Sequence, residues 1–85
     1  MAGFAAVVLL VDIGNTHTHA AVANGERIVA DASFTSESFA LGQAERPLAQ
    51  LLRLAKVEWL AGAVFCSVVP RLTPPLKRLL REHWQ

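Results

Sequence analysis

Eighty-five residues limit this chain to one small domain with a modest core. Its 53% apolar content excludes a disordered composition. Eight Lys and Arg against seven Asp and Glu give no electrostatic case for nucleic acid or an anionic membrane as partner.

The chain opens on an apolar run, Phe4 to Val11. No Lys or Arg precedes it, and Asp12 stands where a signal peptide would place its small cleavage residues. It is also too short to cross a bilayer as a helix. Ala6 to Val11 therefore reads as a strand covered on both faces. Asp12 to Thr16 breaks it as a turn, and Thr18 to Ala23 reads as a second strand. Asn24-Gly25 is a hairpin signal, since both residues tolerate positive φ, and Arg27 to Phe34 follows as a third strand. The polar stretch Ser36 to Gly42 carries no clear pattern. Pro47 fits a helix's first turn, and Leu48, Leu51, Leu52 and Ala55 form one apolar helical stripe.

Gly62 ends the connection, and Ala63 to Val69 is a second continuous apolar strand, closed by Pro70. Thr73 before Pro74 reads as an N-cap, after which Leu76, Leu79, Leu80 and His83 repeat the stripe. Lys77, Arg78 and Arg81 read as the solvated face of that last helix, and Trp59 and Trp84 as packing residues. Cys66 is the lone cysteine, so no intramolecular disulfide forms, as fits a reducing compartment. Its apolar neighbours predict a buried, inert thiol.

The predicted order is β-β-β-α-β-α, an α/β chain with a mixed sheet over residues 1–85. A helix between two apolar strands predicts a crossover that sets the 63–69 strand parallel to the first. That strand is then an apolar edge, which favours a partner. Self-association through this edge, or through the Leu76-Leu79-Leu80 stripe, is the expectation.

Chemistry concentrates in Asp12-Ile13-Gly14-Asn15-Thr16-His17-Thr18-His19. Gly14 permits close approach of backbone to a ligand, while Asn15, Thr16 and Thr18 bring side-chain donors beside the turn amides. Together these suit a polyphosphate. Asp12 repels phosphate unless Mg²⁺ or water bridges the two. The competing reading is a tight turn in which Asp12 and Asn15 cap their own backbone. His17 and His19 share one side of a strand, but two ligands do not complete a zinc site. No P-loop or dinucleotide glycine pattern occurs.

Asp-Ile-Gly-Asn-Thr after a first strand resembles the first phosphate motif of the acetate-kinase, sugar-kinase, heat-shock-ATPase and actin superfamily. Asn15 after Gly14 is similar to the type III pantothenate kinases in particular. Ser67-Val68-Val69-Pro70, then Leu72-Thr73-Pro74, resembles a later strand and helix start of the same kinases. The resemblance runs from Val8 to about Leu80. It implies the amino-terminal half-domain of the actin-like ATPase, or ribonuclease H-like, fold. It also implies a cytoplasmic, homodimeric kinase that transfers the ATP γ-phosphate to pantothenate in coenzyme A synthesis, with Mg²⁺ and a monovalent cation, K⁺ or NH₄⁺. Asp12 would then hold the Mg²⁺–phosphate unit through water or phosphate. Gly14, Asn15, Thr16, His17 and Thr18 would line the phosphate turn.

The family's catalytic carboxylate lies in a Gly-x-Asp-Arg motif, which these 85 residues do not contain. Nor do they contain the second phosphate motif or the adenosine-binding glycines. The chain is therefore expected to be an incomplete, inactive part of such a kinase. Two rivals stand beside this reading: a non-catalytic interaction module with the same fold, and another kinase of the superfamily.

Overall fold

The structure, a computed structural model, describes residues 6–25, 27–57 and 60–83, without the side chain of His83. The packing readings for Trp59, Trp84 and His83 lie outside what is described.

Three strands run as an antiparallel meander: β1 (Val7–Ile13), β2 (His17–Asn24) and β3 (Arg27–Thr35). A short helix α1 (Glu37–Ala40) and a longer α2 (Glu45–Leu54) lead to β4 (Gly62–Ser67), which pairs parallel with β1. A 3-10 turn (Pro70–Leu72) runs into α3 (Thr73–His83). The sheet order is β3-β2-β1-β4, the mixed sheet with an edge strand β4 that the apolar runs predict.

Local chemistry explains most boundaries. Gly25 adopts φ of 65°, which glycine allows without a Cβ penalty. Asn24 remains in β2, paired with Arg27, so only the glycine of the Asn-Gly pair uses left-handed backbone. Pro47 sits in the first turn of α2, where its missing N–H leaves no bond unmade. Leu48, Leu51 and Leu52 are buried along one face of that helix. Ser36 to Gly42, patternless in sequence, contains α1, whose Phe39 enters the core and tilts against Phe34 at 5.7 Å.

Several expectations are corrected. β1 extends through Asp12 and Ile13, so the turn is only Gly14 to Thr16. Thr73 is not an N-cap: it is already α-helical, because the 3-10 turn begun at Pro70 feeds straight into α3. The apolar strands are not covered on both faces. All three helices contribute to a core beneath one face, where Leu9, Val11, Ile13, Ala20 and Val22 meet Phe39, Leu48, Leu51, Leu52 and Leu76. On the other face Val64 is 59% and Val68 65% exposed.

Cys66 shares the parity of Val64, so it is exposed rather than buried. A run of apolar residues does not record which of its faces receives helices. Lys77, Arg78 and Arg81 are exposed as expected, with the Lys77 ammonium 5.8 Å from the centre of the Phe65 ring. No helix among the described residues is long and apolar enough to cross a membrane.

Candidate functional site

The β1–β2 connection closes on Asn15 and Thr16. The Gly14 N–H donates to the His17 carbonyl at 3.0 Å. A Cβ on residue 14 would lie 2.9 Å from that same carbonyl oxygen, closer than real Cβ contacts, so glycine is a steric requirement here. Neither Asn15 nor Thr16 has positive φ. The turn is therefore not of the primed type whose twist matches a two-residue hairpin. Its geometry is supported from outside.

That support comes from Ser36, at the junction of β3 and α1. The Ser36 N–H donates to the Thr16 carbonyl at 2.9 Å, and its hydroxyl donates to the Gly14 carbonyl at 2.6 Å. The Thr18 and Ser36 hydroxyl oxygens lie 2.9 Å apart in a fully buried contact. Ser36 has one hydroxyl proton and Gly14 receives it, so Thr18 donates to Ser36. The result is a directed chain, Thr18 O–H to Ser36 O–H to Gly14 C=O.

The turn's other polar groups are unpaired. Among the described residues, no hydrogen bond involves the Asp12 carboxylate, the Asn15 side chain or the Thr16 hydroxyl, and the Asn15 and Thr16 N–H groups meet no backbone acceptor. Asp12, Asn15 and Thr16 are all exposed. The self-capping turn anticipated as the competing reading is thus not what forms. The tip presents two amides, a carboxamide and a hydroxyl, donors suited to phosphate oxygens.

The remaining site candidates divide by strand parity. His17 and His19 are exposed on one side of β2, and Thr18 points inward. In register, Ser33, His19, Asp12 and Cys66 form one row across the four strands on the uncovered face. Three members of the row, His19, Asp12 and Cys66, border a depression of about 420 Å³ floored by Leu10, Ala21 and Val64. Among the described residues no group of three His, Cys, Asp or Glu side chains is placed to hold a metal ion. Sequence reasoning missed Ser36. No motif marks it, and its link to Gly14 spans 22 positions. It also missed the row, which needs the registers of three strand pairs.

A mixed sheet of this order with its helices is the architecture of a half-domain of the actin-like ATPase class. Residues 8–85 match the type III pantothenate kinase family. The chain belongs to that family, whose activity is the ATP-dependent phosphorylation of pantothenate in coenzyme A synthesis. A comparison with curated proteins finds no match.

Proposed function

We propose that this chain supplies the ATP-phosphate turn of a type III pantothenate kinase. The observation that carries this reading is a turn tightly closed by Gly14 and Ser36 whose outward donors, on Asn15 and Thr16, have no internal partner. Unmet donors in a fixed concave turn are the usual protein device for binding phosphate oxygens.

Asp12 fits the Mg²⁺ part of the reading. Mg²⁺ is a hard cation that takes one or two carboxylates together with substrate phosphates and water, and Asp12 offers an exposed, unpaired carboxylate at the end of β1. Bound Mg²⁺ would offset phosphate charge near that carboxylate. Asn15 and Thr16 would orient the phosphates, and Gly14 would admit them by lacking a Cβ. The Thr18 hydroxyl proton is already donated to Ser36, so Thr18 contributes by bracing. His17 would stand on the exposed side at the turn's exit. The K⁺ or NH₄⁺ dependence implied by resemblance is assigned to no residue here.

Addition of MgATP is expected to shift the amide resonances of residues 12–18 with weak affinity, because phosphoryl transfer sites bind from several sides and this is one of them. Shifts concentrated elsewhere, with the turn silent, would refute the reading. In the same samples, added pantothenate is expected to yield no ADP above background, since no Gly-x-Asp-Arg carboxylate is present.

We also infer that the chain pairs with a second copy of itself. β4 is an edge strand without a charged residue, and edges without charges or prolines are templates for pairing. Of the two surfaces anticipated for this, the Leu76-Leu79-Leu80 stripe packs into the core, with Leu76 fully buried, which leaves the β4 edge. Sedimentation across a concentration series is expected to show a dimer. A single monomeric species at high micromolar concentration would refute it.

A further inference from the structure

Among the described residues, one side chain outside the family motif, that of Ser36, hydrogen-bonds to the backbone of the Gly14 turn. We propose that Ser36 is the positioning residue of the phosphate turn, holding the donors of Asn15 and Thr16 in binding geometry although it faces no ligand itself. The proposal rests on the phosphate reading of the turn.

Three observations carry it. First, the turn lacks the local conformation that would stabilise it alone, since neither Asn15 nor Thr16 has the positive φ of a primed hairpin turn. Second, Ser36 grips both sides of the tip, its hydroxyl on the Gly14 carbonyl and its N–H on the Thr16 carbonyl. The two residues whose N–H groups meet no backbone acceptor lie between or at these anchor points. Third, the grip is buried and directed. Ser36 is 1% exposed, and its oxygen accepts from the buried Thr18 hydroxyl while its proton goes to Gly14. Bonds in such a chain polarise one another, and a low-dielectric setting raises the cost of losing any member.

The position in the fold matters as much as the bonds. Ser36 follows β3, a strand not adjacent to β1, and directly precedes α1. The turn is thereby tied to the helical layer and not only to its own two strands. The neighbouring hydroxyl pair, Thr35 with Ser38 at 2.9 Å, is exposed, and neither hydroxyl bonds to Gly14, Asn15 or Thr16. Ser38 is therefore a control for loss of a hydroxyl beside the turn.

The test uses the whole chain, with amide exchange of Gly14 as a ligand-free readout and MgATP titration as the binding readout. In Ser36→Ala the Gly14 carbonyl and the Thr18 hydroxyl lose their buried partner. Gly14 is expected to exchange about tenfold faster, with Val22 in the core unchanged, and MgATP to bind about tenfold more weakly. Ser36→Thr, which keeps the hydroxyl, is expected to restore both, and Ser38→Ala to change neither. Wild-type exchange and binding in a folded Ser36→Ala chain would overturn the assignment. If that chain does not fold, Ser36→Cys replaces it, with a similar size and a weaker donor. Weakened binding in the folded cysteine variant supports the assignment, and unchanged binding overturns it. A wild-type turn that ignores MgATP defeats the phosphate reading instead, and the exchange readout then shows separately whether Ser36 holds the turn.

Discussion

Gly14→Ala is expected to abolish MgATP binding and to destabilise the fold by about 1–3 kcal/mol, the usual cost of forcing extra volume into a packed site. The added Cβ would stand 2.9 Å from the His17 carbonyl oxygen. That oxygen is backbone and already accepts the Gly14 N–H, so it cannot rotate away as a side chain would. Relief requires the turn to open, which breaks the Gly14–His17 bond and displaces the Gly14 carbonyl from Ser36. The outward donors then lose their common direction. Gly62→Ala is the control. A Cβ at residue 62 meets nothing within 4 Å, and the residue opens a strand, where alanine restricts the unfolded chain more than glycine does. Its stability is expected to stay within about 0.5 kcal/mol of wild type or to rise slightly. Thermal unfolding and MgATP titration of both variants check this. A Gly14→Ala chain that binds like wild type would mean that the turn is not the site.

The second large effect belongs to the core. Leu48→Ala is expected to cost about 2–5 kcal/mol, the range for truncating a fully buried leucine. Leu48 has no exposed surface and lies on α2, which packs on β2 and β3. At the usual 0.05–0.15 kcal/mol per residue, 85 residues hold roughly 4–13 kcal/mol in total, so one substitution removes a large share. The variant is expected to unfold at a clearly lower denaturant midpoint than wild type. Leu54 lies on the same helix but is 71% exposed, so Leu54→Ala is expected to shift stability by no more than about 0.5 kcal/mol. Denaturant midpoints of the two variants decide. Equal midpoints would mean that α2 does not seat on the sheet as described.

These two leucines show how much of the fold was legible beforehand. The stripe Leu48, Leu51, Leu52 follows the 3.6-residue period, and all three are buried on α2. Leu54, just as apolar, falls off that stripe and faces water. Where a local period, a turn pair or a proline sets the conformation, residue order was sufficient. The meander, the Asn24-Gly25 hairpin and α2 are of this kind, and the parallel pairing of β4 with β1 followed from the crossover rule for a helix between two strands. The need for glycine at position 14 was legible for a related reason: the carbonyl that excludes a Cβ there belongs to His17, three positions away.

The rest required three dimensions. Cys66 sits in a run of apolar residues that reads the same whether one face or two are covered. Only the placement of all three helices on the Leu9-Val11-Ile13 face exposes it. The strand period of two assigns alternate residues to opposite faces but carries no information about which face the helices choose. Ser36 is the same case at a single residue. Its sequence neighbours are polar and patternless, and its role comes from a carbonyl 22 positions away. Sequence alone determined the elements, their pairing and the motif of the turn. The tertiary structure decided which face is buried, which hydroxyl proton is already donated, and what holds the turn in place, because each depends on contacts between segments that are distant along the chain.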